Sequence, residues 1–362
     1  MSGNVIRNNE YGEEIIIPFE NISPSTMTIV VPLYGTIHNM NAIFYCIPVL
    51  HPSKPATKAG DIKSFRWENK IRGTGGGFFK NSAFLEIKID SKNKLMVPKL
   101  SRDTIQMCGC ANLEMGREVA QHIVNHVNGV VSFIKDVEKD KQLFLESGAW
   151  LVENSKGGAL KSISKFYILG VEIMEEIDDY HVIFPDVSSV PLQYIYFVTE
   201  IMRRCDDVKY LSELTILIDY YSKINHKWIA DKISIAKVGR TMVKYNYHVG
   251  FNINREVLYH YLNYLSQNIP EGMEILRGMN MHADYVNLIK ADVDVEIYSN
   301  YNNDENVIRK DKELRSKQTF CVRYSGNIMH SGPGGKAMEE CYYVFIGLMK
   351  YLRPYIEIKD KR

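Results

Sequence analysis

The stretch from Thr319 to Leu352 constrains the fold of this chain more than any other. Phe320, Val322 and Tyr324 alternate with Thr319, Cys321, Arg323 and Ser325, the period-2 pattern of a half-buried strand. Ser325-Gly326-Asn327 predicts a turn, Ile328 to Ser331 a second short strand, and Gly332-Pro333-Gly334-Gly335 a break. Beyond the break, Met338, Cys341, Tyr342, Phe345, Met349 and Leu352 recur at helical spacing. Glu339 and Glu340 lie in the first turn of that helix and Lys350 and Arg353 near its end, the charge order that the helix dipole favours. The predicted unit is a hairpin that feeds directly into an amphipathic helix.

A fainter copy lies upstream. Thr104 to Cys108-Gly109 reads as a strand, and Met115, Val119, Ile123 and Val127 then mark a helix with Glu114 and Glu118 near its start. The copies begin about 220 residues apart, too far for a solenoid period and suited to a duplicated half-domain that carries an insertion.

These segments resemble the second half of each repeat in the TATA-box-binding-protein family. The likeness is carried by Tyr324-Ser325-Gly326, by Ser331-Gly332, and by Met338-Glu339-Glu340 with Tyr342 and Phe345. The chain is similar to the divergent versions carried by large DNA viruses of eukaryotes. The resemblance implies an α+β fold in which two repeats form a saddle, a curved antiparallel sheet with helices on its convex face, plus a mainly helical insertion. The organisation expected is an N-terminal extension (1–24), a first repeat (25–129), the insertion (130–238), a second repeat (239–355) and a short tail (356–362).

Other segments fit that order. Thr26 to Ile37 reads as a strand and Asn41 to Ile47 as a short helix stopped by Pro48, while Val243 to Ile253 leads into a helix from Arg255 to Leu265. Residues 1–24 are polar and read as poorly ordered, with Glu14 to Pro18 a candidate edge strand. Within the insertion, Val130 to Leu145, Pro191 to Cys205 and Tyr210 to Ile224 read as helices, and Phe166 to Leu169 as a strand. Met281 to Ile297 offers further strands, and Asn300 to Lys317 reads as a loop.

Composition bears on partners only weakly. With 45% hydrophobic residues the chain can bury an ordinary core, and a net charge of +1 neither requires nor excludes nucleic acid. Basic residues cluster locally, six in Lys54–Arg72 and five in Arg309–Lys317, runs that also serve as solvated surface. The six scattered cysteines read as reduced thiols of an intracellular protein, and no run approaches the roughly 18 apolar residues of a membrane span.

In the family the concave face enters the DNA minor groove, where A·T pairs show only acceptors and G adds an amine. Such a face needs aromatic wedges, small hydroxyls and a central amide. Carried over by position, the resemblance implies Asn246 as the groove-contacting asparagine, Tyr285 as a wedge, and Met329 and Ser331 as groove-facing. Gln106 and Cys108 are their counterparts in the first copy, with Phe79 or Phe78 as its wedge. Arg323 stands where a second wedge phenylalanine belongs, and Leu33 where the first asparagine does. An arginine can still enter a narrow groove for its negative potential. Glu86, on a candidate inner strand, would oppose phosphate.

His122 and His126 lie four apart on a helix, but no Glu follows His122 and no third ligand is evident, so a zinc site is not indicated. Gly73 to Gly77 lacks the Lys-Ser/Thr of a phosphate loop, and Ser331-Gly332 lacks the glycine two residues earlier that a nucleophile turn requires. The expected protein is not an enzyme and needs no cofactor, metal or small molecule. It is expected to bind A/T-rich double-stranded DNA and to recruit general transcription factors or RNA polymerase, in the nucleus or in a viral factory or virion. The alternative is a saddle that holds another protein, as an assembly or virion component without direct DNA contact.

Overall fold

A computed structural model of the chain describes residues 4–74, 82–89, 94–154, 190–268, 280–285, 293–299 and 316–359. The fold is α+β, with seven α-helices and antiparallel sheet among the described residues. It divides into two compact units, the first comprising Met1–Val30, Cys108–Met115 and Val238–Arg362, the second Val31–Met107 and Gly116–Lys237. The division falls within strand β3 (Thr26–Tyr34), strand β9 (Thr104–Cys110) and helix α2 (Leu113–Lys139).

In the first unit, β1 (Ile6–Asn8) pairs with β2 (Glu14–Ile16). A separate antiparallel array runs in the order β12 (Asn280–Tyr285), β13 (Val293–Ser299), β14 (Ser316–Val322), β15 (Asn327–Gly332), β11 (Gly239–His248). The N-terminal half of β3 then pairs with β11, from Thr26↔Lys244 to Val30↔Gly239. Helices α6 (Arg255–Gln267) and α7 (Lys336–Ile356) share a core with these strands, in which Tyr247, Phe320, Val322 and Ile328 meet Leu258, Leu262, Cys341, Tyr342 and Phe345. Phe320 is stacked between two rings, 4.0 Å from His330 and 4.1 Å from Phe345.

The hairpin and helix expected from Thr319 to Leu352 are present, with one difference. Tyr324 is exposed because β14 ends at Val322, and Arg323 to Gly326 make the turn, closed by Gly326 N–H donating to Arg323 O at 3.0 Å. Gly326 has φ +80, and a Cβ there would lie 2.1 Å from the backbone oxygen of Phe251. Only glycine meets both demands.

Residues 4–25 are not the loose extension that their polarity suggests. Val5 and Ile6 are buried in the core of this unit, Val5 N–H donates to His248 O at 2.8 Å, and the Tyr342 hydroxyl donates to Ile17 O at 2.7 Å. Glu14 also receives Arg353 in an ion pair. A few apolar residues among polar ones suffice here because their partners are supplied by distant strands and by α7.

In the second unit the strands run β3, β9, β8 (Lys99–Leu100), β6 (Ala83–Lys88), β4 (Ile62–Trp67), β5 (Lys70–Gly73). The two-residue strands β7 (Leu95–Met96) and β10 (Ser234–Ile235) pair with β6 and β3. Helix α1 (Met40–Cys46), capped by Asn39, lies against β4, with Phe44 and Phe65 at 5.4 Å. Helix α2 runs unbroken past Phe133 to Lys139, so the helix expected from Val130 to Leu145 is instead the end of α2 and the start of α3 (Lys141–Asn154). With α4 (Ile195–Arg204) and α5 (Leu211–Lys223) they enclose an aromatic core of Phe133, Phe144, Phe197 and Tyr221. The strand proposed at Phe166 to Leu169 lies outside the described residues, as does 300–315 of the proposed loop; Ser316 and Lys317 belong to β14.

A buried polar knot ties α1 to these helices. Arg72 donates to the carbonyls of Phe44, Tyr45 and Ile47 at 2.8–3.0 Å, and to that of Arg204 at 2.5 Å. Arg204 in turn donates to Cys46 O at 3.3 Å, and the Tyr221 hydroxyl to Tyr45 O at 2.7 Å. The last carbonyls of α1, which have no partner within a helix, are thus satisfied by side chains from β5, α4 and α5.

Candidate nucleic-acid interface

Alternation along the strands leaves one sheet face of each unit open. In the first unit Val243 and Tyr247 of β11 are buried while Met242 and Asn246 are exposed, and on β15 Ile328 and His330 are buried while Asn327 is exposed and Met329 and Ser331 are half-buried. On β14, Thr319 and Cys321 are half-buried between the core residues Gln318, Phe320 and Val322. The register turns this alternation into rows. Asn246 pairs with Met329 and Met329 with Cys321, while Lys244 pairs with Ser331 and Ser331 with Thr319. Cross-strand partners share a face, so four adjacent side chains of types suited to a groove edge (amide, thioether, two hydroxyls) lie together beside one lysine.

Cys108 is exposed on β9 and accepts a hydrogen bond from the Thr28 hydroxyl at 3.6 Å, and Thr28 pairs with Met242. Met242 and Cys108 are exposed on the same side as Asn246, while Thr28 between them is buried. In the second unit, Gln106 begins a row that continues through Lys99, Phe84, Arg66 and Ile71. The neighbouring row holds Ser64 and Glu86, whose side chains are joined at 3.1 Å.

Five of the eight residues expected in the site therefore lie on open faces: Asn246, Met329, Ser331 and Cys108 in the first unit, Gln106 in the second. Arg323 is exposed in the β14–β15 turn, its N–H donating to Asn327 O at 2.9 Å. Tyr285 is the last residue of β12, in register with Val293, which is in register with the core residue Val322. Phe79, like Phe78, lies outside the described residues. Leu33 is only 8% exposed, and its register partner is Ile235 of β10. Sequence reasoning missed Thr28, Met242, Lys244, Arg66, Phe84 and Lys99. Lys244 could have been found two residues from Asn246 on the same strand face, but the Arg66–Phe84–Lys99 row requires the register.

The open face of the second unit is not uniformly basic: Arg66 and Lys99 share it with Glu86. In the first unit the register of Met329 and Cys321 continues to Asp294 and Asp284. His122 and His126 hold a loop: His126 Nε2 lies 2.8 Å from Gly60 O, and a Cβ on Gly60 would come within 2.6 Å of His122 Nδ1. Burial pulls the His126 pKa down to about 4 despite that hydrogen bond. Among the described residues no group of three or more His, Cys, Asp or Glu could hold a metal ion, and no helix is long and apolar enough to cross a membrane. No protein-family model matches the chain, and no curated protein matches it.

Proposed function

We propose that this chain is a TATA-box-binding-protein-like transcription initiation factor, a divergent member of that family, whose two units join their open sheet faces into one concave saddle for the minor groove of A/T-rich DNA. The observation that carries the reading is a repeated wiring. The order strand, helix, strands, helix occurs from β3 to α2 and again from β11 to α7, and in each case the first strand lies beside the last: β3-β9-β8-β6-β4 and β11-β15-β14-β13-β12. A duplicated half-domain accounts for the shared order, which supports the reading. The open-face chemistry agrees with it. Met, Thr, Ser, Cys and Asn present small uncharged side chains whose amide and hydroxyl groups can donate to the acceptors of A·T edges, and G·C differs there by the guanine amine, an added donor. On this reading general transcription factors or RNA polymerase are recruited to the promoter, in the nucleus or a viral factory.

Glu86, on the open face of the second unit, favours a second reading, a saddle that grips a protein. A fluorescence-anisotropy titration at two salt concentrations separates the two. DNA binding is expected for an A/T-rich duplex over a G/C-rich one, weakening steeply between about 50 and 200 mM salt as counterions are released. Absence of binding at the lower salt, with and without transcription factors added, would leave only the protein-binding saddle.

A further inference from the structure

The N-terminal segment adds a second contact beside Asn246. A cleft of about 500 Å³ opens there, and its polar lining includes Asn4, Arg7, Asn21, Ser23, Ser25 and Asn246. Every one of these side chains is exposed. The walls are fixed, because Val5 and Ile6 are in the core and Ser25 N–H donates to Lys244 O at 2.7 Å. Arg7 is oriented by its Nε donating to Asn4 O at 2.6 Å, and among the described residues no carboxylate lines the cleft. One permanent positive charge among amides and hydroxyls suits a singly charged group rich in acceptor oxygens. Asn246 belongs both to this cleft and to the open-face row with Met329 and Cys321.

The geometry points to the cleft as a seat for the sugar–phosphate backbone of the same duplex that the open face engages, with Arg7 as the phosphate contact. The inference rests on the DNA-binding reading above and extends it: residues 4–25 are part of the interface, and they contribute position and affinity without sequence choice.

The test is a duplex titration over a series of salt concentrations with the full-length wild type, Arg7→Gln and Ser23→Glu. Both positions are exposed, so thermal melts of the variants should match the wild type. Arg7→Gln is expected to lower affinity about tenfold on A/T-rich and G/C-rich duplexes alike, and to reduce the log–log salt slope by about 0.9. Ser23→Glu, which places a carboxylate in the cleft, should lower it at least as much. A wild type that binds DNA with both variants unchanged would overturn this inference and leave the open-face reading standing; a wild type that binds no duplex would overturn both. Inorganic phosphate added at constant ionic strength should leave duplex affinity unchanged. Competition by phosphate alone would mark the cleft as a free-anion site and contradict the backbone assignment.

Discussion

Replacing Arg72 by methionine is expected to destabilise the fold by about 3–5 kcal/mol, the cost of breaking a buried ion pair by removing one partner. The side chains of Arg72 and Asp207 are only 8% and 6% exposed, and two contacts join them, Nη2 at 2.5 Å and Nε at 3.1 Å. Burial works against the charged guanidinium, and the Asp207 carboxylate more than offsets it, holding the Arg72 pKa above its ordinary value. The methionine variant strands that carboxylate and also removes the donor from four carbonyls. The second effect separates this site from a simple ion pair. Arg72→Met combined with Asp207→Leu should recover the part due to the unpaired charge, but not the part due to the bare end of α1. Urea unfolding at neutral pH measures both. A loss below about 1 kcal/mol in the single variant, the range of an exposed pair, would contradict the account of how α1 is held.

Acid is expected to weaken the first unit through His330. Its ring is fully buried, stacked on Phe320 and edge-on to Tyr247 at 6.4 Å, and neither ring nitrogen has a hydrogen-bond partner among the described residues. Burial pulls its pKa from the ordinary 6.5 down to about 3. The unfolded chain therefore binds the proton more readily than the folded one between these values. Stability is complete above about pH 6.5 and falls as the pH drops towards 3, by about 1.4 kcal/mol per unit. At pH 5 the loss from this residue is about 2 kcal/mol. His330→Phe keeps the ring stack and removes the proton site, so the variant should lose about 2 kcal/mol less than the wild type between pH 7 and pH 5. Equal losses would mean that His330 is protonated within the fold.

What could be read from the sequence was local. Alternation at Phe320 and Val322, a glycine turn and helical spacing after Gly335 name the β14–β15–α7 unit because every partner lies within a few dozen residues. The same alternation places Asn246, Met329 and Ser331 opposite the core. Leu33 shows where it fails: the period puts it in a strand, but nothing nearby says that Ser234-Ile235 will pair with that strand. The N-terminal segment fails for the same reason, since Val5 and Ile17 find partners at His248 and Tyr342. The Arg72 knot was beyond reach, joining residues 132 and 135 positions apart. Lys54 to Arg72 reads as a basic, solvated run, yet its last member is buried and structural.

The central claim is that the open sheet face is where DNA lies, and the cross-strand pair Asn246–Met329 tests it most directly. Neither side chain is fully buried, so Asn246→Asp with Met329→Glu should leave the protein folded, with a small loss of stability from two like charges in register, while placing two carboxylates on that face. The account predicts that an A/T-rich duplex bound by the wild type at about 50 mM salt is no longer bound by the double variant. A folded double variant that binds the duplex as tightly as the wild type would contradict it.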